Sequence, residues 1–190
     1  LFAQGFSKGF GFIAGTNSDS RTVNIIDVNN DGLEDVFISN GLQGGQDDFL
    51  YLNQGNQIFS VANMGDIIAD NAASVGATFG DFNNDGHIDA YVTNWYGEEN
   101  RLYQNDGTGK LVLKANSSVN IGSFSETAAW GDYDGDGWLD LFVTNSASSK
   151  ENYLFRNTQD GNFERVIIEG LTTEQDASRN ANWIDINIDG

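Results

Sequence analysis

The stretch D-F-N-N-D-G-H-I-D at residues 81–89 is one of four related acidic segments in the chain. The others are D-V-N-N-D-G-L-E-D at 27–35, D-Y-D-G-D-G-W-L-D at 132–140 and the shorter D-I-N-I-D-G at 185–190. Successive segments begin 54, 51 and 53 residues apart. A period near fifty residues is typical of propellers and repeat arrays, so the sequence predicts tandem copies of one structural unit.

Each copy predicts four short strands when the segments are aligned on their first aspartate. Short β-rich runs bounded by Gly, Asn and Asp indicate antiparallel hairpins. The predicted first strands are residues 22–26, 76–80, 127–131 and 180–184, and the second strands are 35–40, 89–94 and 140–145. The third strands are 48–53, 100–105 and 152–157, and the fourth are 57–61, 110–114 and 162–167.

The predicted fold class is all-β, because no segment shows a sustained helical period and helices should be minor. Four antiparallel strands in a unit of about fifty residues form one blade of a β-propeller. A blade cannot bury both of its faces alone, so it must stack on its neighbours. The expected packing residues between blades are Phe79, Trp130 and Trp183, each two residues before the first aspartate of a segment.

Both ends of the chain carry incomplete repeats. The sequence predicts one domain over 1–190, with full repeats near 22–75, 76–126 and 127–179 and partial repeats at 1–21 and 180–190. Residues 6–12 fit the fourth strand of a preceding repeat. Closed propellers need at least four blades, so we expect either part of a longer propeller or copies that complete one another. Self-assembly would then occur through the exposed edges at the chain ends.

The acidic segments have the ligand pattern of a metal-binding loop. Positions 1, 3, 5 and 9 carry side-chain oxygens, position 7 offers a backbone carbonyl, and position 6 is the glycine needed for a sharp turn. Because position 7 is occupied by residues as different as Leu, His and Trp, its side chain is not expected to take part in metal binding. The candidate ligands are Asp27, Asn29, Asp31, Leu33 and Asp35; Asp81, Asn83, Asp85, His87 and Asp89; Asp132, Asp134, Asp136, Trp138 and Asp140; and, incompletely, Asp185, Asn187 and Asp189.

Oxygen ligands at alternate positions predict Ca²⁺, in three complete sites and a fourth partial one. Zinc is disfavoured because it prefers His and Cys, and magnesium because it resists a crowded protein cage. An EF-hand is excluded, since its bidentate glutamate at position 12 would fall on Ile38, Val92 or Val143. An EF-hand also has a helix on each side of its loop, and no such helices are predicted here.

The formal charge of −19 arises largely from these loops, which hold 12 carboxylates at ligand positions. Four bound Ca²⁺ would add eight positive charges and leave a net charge of about −11. The nine Lys and Arg residues are scattered, so nucleic acid is not an expected partner. The absence of cysteine excludes disulfides and thiolate metal sites. No membrane span is predicted, because no apolar run is long enough.

The aligned repeats resemble the FG-GAP or VCBS repeat family over essentially the whole chain. The resemblance rests on the pattern G-D-F-N-N-D-G-x-x-D, followed by three apolar residues and an Asn, and on N-R-L-Y-Q-N-D-G-T-G at 100–109. It implies a typically seven-bladed propeller like that of integrin α subunits, with calcium in the loop between the first two strands of a blade. It also implies an extracellular role in adhesion or ligand binding. Ile26 and Ile184 depart from the pattern, since Gly80 and Gly131 hold that position in the other repeats.

The expected function is that of a non-enzymatic, extracellular module for adhesion, ligand recognition or assembly, in which calcium is structural. A protein or carbohydrate partner is expected on the face opposite the calcium loops. The segment W-Y-G-E-E at 95–99 is the candidate there, because exposed aromatic residues beside carboxylates suit such partners. The alternative for Trp95 is packing on the adjacent blade.

Two other functions stay open. One is a calcium-dependent enzyme, or a polysaccharide-active accessory domain, whose catalytic part lies outside this chain. Against it, the single histidine lies in a loop, and Glu98, Glu99 and Glu126 show no spacing that implies an acid–base pair. The other is a repeat subunit of an extracellular filament, because open repeat arrays can join head to tail.

Overall fold

Three four-stranded antiparallel sheets form the structure, a computed structural model that describes residues 18–41, 43–63, 65–146 and 151–186. In each sheet the strands pair in chain order. Sheet 1 contains β1 (Ser20–Ile26), β2 (Asp35–Asn40), β3 (Phe49–Asn53) and β4 (Phe59–Val61). Sheet 2 contains β5 (Ser74–Gly80), β6 (Asp89–Asn94), β7 (Arg101–Asn105) and β8 (Leu111–Leu113). Sheet 3 contains β9 (Ser125–Gly131), β10 (Asp140–Asn145), β11 (Tyr153–Asn157) and β12 (Phe163–Val166).

The all-β prediction and its twelve complete-repeat strands are confirmed, and the second strands agree to the residue. Among the described residues the one helical element is a short 3-10 helix at Asp66–Ile68. The prediction of a further strand at residues 180–184 was wrong, since this segment has no ladder. In the other repeats such a strand pairs with the one after its loop, and the equivalent positions here fall after residue 190. The strand predicted at 6–12 also lies outside the described residues.

The sheets lie side by side, with their first strands adjacent. Strand β5 contacts both β1 and β9, and the second strands lie between these first strands and the outer ones. Every residue of β6 and β10 is buried, whereas β1 alternates between exposed and partly buried positions. Burial of both faces explains why β6 and β10 read D-A-Y-V-T-N and D-L-F-V-T-N, without the polar alternation of a half-solvated strand.

The spaces between sheets are filled by two apolar clusters. In the first, Phe79 of sheet 2 contacts Phe37 of sheet 1 edge to face, with ring centroids 5.4 Å apart. In the second, Trp130 of sheet 3 lies against Tyr91 of sheet 2 at 6.3 Å and stacks on Phe82 at 6.1 Å. The predicted packing role of Phe79 and Trp130 between repeats is therefore confirmed.

Trp183 makes the corresponding contact on sheet 3. Its ring lies 6.2 Å from the ring of Phe142, and its indole N–H donates to the Ala129 carbonyl at 3.2 Å. A Cβ at Gly131 would lie 2.5 Å from the Trp183 ring, so only glycine fits beneath it. The predicted packing role of Trp183 is thus confirmed as well.

The departure of Ile26 from the glycine pattern has a packing explanation. Gly80 lies beneath Trp130 and Leu139, where a Cβ would be 2.8 Å from Leu139 Cδ1 and 3.0 Å from the Trp130 ring, and Gly131 lies beneath Trp183 in the same way. The repeat after Ile26 carries the smaller Phe79 instead of a tryptophan, and Ile26 packs against the first cluster. The glycine is therefore needed only where the following repeat presents an indole.

Asp48, directly before β3, is an acidic residue at a position where the other two repeats have a neutral amide. The matched positions hold Asn100 and Asn152, and the Asn100 amide donates to Ser125 Oγ at 2.8 Å. Asp48 is 1% exposed and cannot donate in this way while ionised. Burial, and then the nearby charge of Asp70, raise the pKa of Asp48 to about 8. The ionised form is therefore disfavoured in the folded chain.

The substitution Asp48→Asn is expected to stabilise the fold, by an amount that grows between about pH 4 and about pH 8. The pKa of Asp48 is higher in the folded than in the unfolded state, so its contribution to stability is lost as the pH rises through that interval. Urea unfolding of both proteins near the two ends of the interval measures the difference. The reverse substitution, Asn100→Asp, should destabilise sheet 2 increasingly as the pH rises. A stabilisation by Asp48→Asn that is independent of pH would contradict this account.

Candidate metal centre

The three complete acidic loops connect the first two strands of each sheet and lie at the same end of neighbouring sheets. We call this end, formed by residues 27–35, 81–89 and 132–140, the loop face. Gly32, Gly86 and Gly137 have φ values of 83°, 87° and 85°, as expected for the glycine at position 6. The turn that the sequence predicted is therefore present in each complete loop.

Hydrogen bonds within each loop turn its side chains inward. Asp81 at position 1 accepts the backbone N–H of Asp85 at 3.0 Å and that of Gly86 at 2.7 Å. Asp85 at position 5 accepts the N–H of His87 at 2.9 Å. The first and third loops repeat these three contacts. Hydrogen bonds from the backbone N–H groups of each loop thus hold its acidic side chains together.

The third loop brings three carboxylates together. Ligand atoms of Asp132, Asp134 and Asp136 lie within 4.8 Å of one another, and all three residues are exposed. Three like charges at this separation repel one another, and a hard divalent cation between them would remove that repulsion. In the first two loops, position 3 is an asparagine whose amide donates to the position-5 carboxylate, at 3.0 Å from Asn29 and 2.8 Å from Asn83. The donors of every complete loop are oxygens of the kind that a hard cation binds, and within the described residues it is the third loop that brings three carboxylates this close.

The aspartate at position 9 has a second role that the sequence did not reveal. Asp89 is fully buried, and its two oxygens accept the backbone N–H groups of Phe82 at 3.2 Å and Asn105 at 2.8 Å. Burial raises the pKa of Asp89 to about 7, and the hydrogen bond from Asn105 opposes that shift. Asp35 and Asp140 make the same pair of contacts. Each oxygen keeps a lone pair for an ion, while the residue ties its loop to the third strand.

Neighbouring loops are linked to one another. Asn30 Nδ2 donates to the Gly86 carbonyl at 3.0 Å and lies 3.2 Å from His87 Nδ1, while Asn84 Nδ2 donates to the Gly137 carbonyl at 3.2 Å. That the position-7 side chain plays no part in metal binding stays a prediction, but the His87 ring does contact the preceding loop. The loop face is a connected row and not a set of separate hairpins.

The asparagine that ends the third strand joins one sheet to the next, a role that the sequence analysis missed. Asn157 Nδ2 donates to the Phe82 carbonyl of sheet 2 at 2.8 Å and to the Leu139 carbonyl of its own sheet at 3.1 Å. Asn105 makes the equivalent pair of contacts. The repeated Asn was visible in the aligned sequences, but its partner lies about 75 residues away and no local pattern indicates it.

The fourth loop is described only in part. Asp185 belongs to the described residues, whereas Asn187 and Asp189 lie outside them. The structure therefore bears on the three complete loops, and the partial fourth site stays a prediction.

The segment 95–99 lies at the end of sheet 2 opposite the loop face. The Trp95 ring packs edge to face on Phe124, with centroids 5.8 Å apart, and the Gly97 N–H donates to the Ser123 carbonyl at 3.0 Å. Of the two alternatives for Trp95, the structure therefore shows packing on the segment that leads into sheet 3. Tyr96 is 40% exposed and is the accessible aromatic ring of this segment.

A cavity of about 90 Å³ opens on this opposite face beside Tyr96. Arg21, Glu126 and Arg179 contribute to its wall, each six residues before the first aspartate of its loop. The Arg179 guanidinium pairs with the Glu126 carboxylate at 2.9 Å. The cavity thus combines two arginines, one paired carboxylate and aromatic surface.

Comparison with known proteins gives a family match and a structural neighbour. The model of the FG-GAP-like repeat matches three times, at residues 27–92, 81–143 and 132–190. No curated protein matches the chain. Among solved structures, the chain is similar to one titled for the specific recognition of non-reducing terminal N-acetylglucosamine by an Agrocybe aegerita lectin. The two are 20% identical with a TM-score of 0.50, over 77% of this chain and 37% of that chain.

The likeness to the lectin structure shows a shared fold, and this chain spans well under half of that chain. Within the part of the chain that the structure describes, no helix has the length and apolar character needed to cross a bilayer.

The substitution Asn157→Ala is expected to cost about 1–3 kcal/mol of stability. It leaves the buried Phe82 carbonyl next to the neighbouring sheet and the partly buried Leu139 carbonyl without their donor. The matched control is Asn53→Ala, since within the described residues the Asn53 amide donates to the Glu34 carbonyl of its own sheet. Chemical unfolding of both variants measures the difference. An equal loss in the two variants would show that the contact between sheets contributes nothing.

Proposed function

The chain belongs to the family of FG-GAP-like repeats, and on this premise we propose that it is part of a calcium-stabilised β-propeller. In this proposal the propeller acts outside the cell as a non-enzymatic recognition module for a carbohydrate or protein partner. The observation that carries the proposal is the loop itself. The same inward-turned acidic side chains occur in three successive sheets, at the same end of each.

Calcium would serve a structural purpose in this module. The ion would supply positive charge among the carboxylate and amide side chains at positions 1, 3 and 5, with the buried aspartate at position 9 behind them. Asp132, Asp134, Asp136 and Asp140 would hold it in the third loop. Because Asn30 and Asn84 join neighbouring loops, an ion that orders one loop also supports the next. The loops are exposed, which suits the weak sites of modules that work in millimolar calcium outside cells.

Two observations support a recognition role. The fold is shared with a lectin structure whose title names N-acetylglucosamine as its ligand, which favours a carbohydrate partner. The face opposite the loops offers a small cavity lined by arginine and aromatic side chains. Glu126 in that cavity is paired with Arg179, an arrangement that suits ligand binding better than proton transfer.

Removal of calcium is expected to lower the melting temperature substantially. An ion that binds only the folded state stabilises it by about 2.7 kcal/mol per site at a hundredfold excess over its dissociation constant. Thermal unfolding followed by circular dichroism, with calcium and with EGTA, measures the effect. Added Mg²⁺ should not restore the lost stability, because it resists a crowded cage. A melting temperature unchanged by EGTA would overturn the calcium proposal.

The third loop is expected to bind calcium most tightly, because Asp134 gives it a fourth ligand carboxylate. Asp134→Asn copies the position-3 residue of the other loops and should weaken that site roughly tenfold. Asn83→Asp adds the fourth carboxylate to the second loop and should strengthen it by a similar factor. Isothermal titration calorimetry with Ca²⁺ measures both changes. If Asp134→Asn leaves the tightest site unaffected, carboxylate number does not set the order of affinities.

A further inference from the structure

A cleft of about 290 Å³ opens on the loop face between sheets 2 and 3. Gln104 and Lys114 line it from sheet 2, while Trp138, Gln159 and Asp160 line it from sheet 3. Asn83 of the second loop also lines the cleft, and the calcium proposal uses Asn83 and the backbone of Trp138 but none of the other four residues. This combination of one indole, two amides and one charge of each sign requires its own explanation.

The junction between sheets 1 and 2 provides a reference, because the repeats align residue by residue there. Strand pairing places Asn53 and Asn105 at equivalent points, and the turn after β7 likewise matches the turn after β11. The cleft residues and their counterparts are Gln104 and Leu52, Lys114 and Ala62, Trp138 and His87, Gln159 and Gly107, and Asp160 and Thr108. At the junction of sheets 2 and 3, Gln104 thus replaces a leucine, Lys114 an alanine and Gln159 a glycine.

The turn after the third strand closes the reference junction and leaves the other one open. A Cβ at Gly109 would lie only 2.8 Å from the Cβ of Asn29, so that turn packs directly on the first loop. The matched glycine of sheet 3 is Gly161, where the nearest atom to an added Cβ is Lys114 Nζ at 3.5 Å. The same fold therefore leaves more room between sheets 2 and 3.

Gln159 occupies a costly backbone conformation at the edge of this cleft. Its φ of 65° is in the left-handed region, which its counterpart Gly107 adopts without strain. A non-glycine residue in that region marks a position where a side chain is retained despite a conformational cost. The Gln159 amide donates to Asp136 Oδ2 at 2.9 Å, so the cleft wall is attached to the third loop.

We propose that this cleft binds one pyranose ring of a saccharide. The Trp138 indole offers a flat apolar surface to the C–H groups of such a ring, and within the described residues it makes no stacking contact with another aromatic ring. The Gln104 amide and the Lys114 ammonium have no hydrogen bond or ion pair in the described part of the chain, so both are free to bind hydroxyl groups. Asp160 Oδ1 already accepts from Thr158 Oγ1 at 2.6 Å and from the Asn162 N–H at 3.1 Å, so Oδ2 is the acceptor that Asp160 offers to a hydroxyl group.

The charge and the size of the cleft narrow the ligand class. One ammonium and one carboxylate cancel, which favours an uncharged ligand that both donates and accepts hydrogen bonds. A volume of about 290 Å³ lies at the lower end of the usual range for ligand pockets, roughly 300–1,000 Å³, and suits a single ring and not an oligosaccharide. The inference rests on the proposed recognition function, but it places the saccharide on the loop face and not on the opposite face.

The test uses methyl pyranosides of glucose, galactose, mannose and N-acetylglucosamine at millimolar concentration with the calcium-saturated chain. Saturation-transfer difference NMR is expected to show binding of at least one of them. Trp138→His and Gln104→Leu install residues that this chain already has at the matched positions, so both variants should fold. Each is expected to weaken binding by about tenfold or more. Thr108→Ala, at the matched position of the reference junction, should leave the affinity unchanged. Tyr96→Ala probes the opposite face.

Three results would overturn the inference. The first is the absence of transfer to all four pyranosides, and the second is unchanged affinity in both Trp138→His and Gln104→Leu. The third is loss of binding in Tyr96→Ala alone, which would support the proposed function while moving the ligand to the opposite face. Failure of calcium to stabilise the chain, with pyranoside binding retained, would instead count against the proposed function and leave this site standing.

Discussion

A buried carboxylate at the end of each acidic loop is the constraint on which each sheet depends. Asp35, Asp89 and Asp140 are all 0% exposed, and each accepts one backbone N–H from its own loop and one from the end of the third strand. One side chain thereby fixes the loop, the start of the second strand and its register with the third. Burying such a group is costly unless it is fully hydrogen-bonded, which is why both oxygens are engaged.

From this arrangement the contacts between sheets follow. The residue whose N–H binds the buried carboxylate is an asparagine, and its side chain reaches the loop of the preceding sheet in Asn105 and Asn157. The aromatic residue two positions before the second, third and fourth loops packs on the second strand of the preceding sheet, as Phe79 does on Phe37. Polar links at the loop face and apolar packing between the sheets therefore set the same spacing. That agreement lets one repeat serve as a template for the next.

Differences among the repeats are informative because this template is shared. Asp48 replaces an asparagine that elsewhere donates to a serine, and the result is a buried carboxyl whose pKa is raised to about 8. Gln104, Lys114 and Trp138 replace Leu52, Ala62 and His87 at a junction that the turn leaves open. The fold does not require these residues, because the other repeats form the same four-stranded sheet with different residues at the matched positions. Such positions are where a repeat protein gains specific chemistry without changing its architecture.

The sequence by itself determined the period, the twelve strands, the turn glycines and the aromatic residues between sheets, because each of these leaves a local and repeated pattern. Alternating oxygen-bearing residues and a glycine at position 6 likewise mark the candidate metal ligands without any knowledge of the fold. The tertiary structure decided what depends on residues far apart in the chain. It showed that Asn157 reaches Phe82, that Trp95 packs on Phe124, and that residues 180–184 have no ladder. It also decided the width of the cleft beside Trp138, because the direction of a side chain and the space around it are set by the packing of neighbouring sheets.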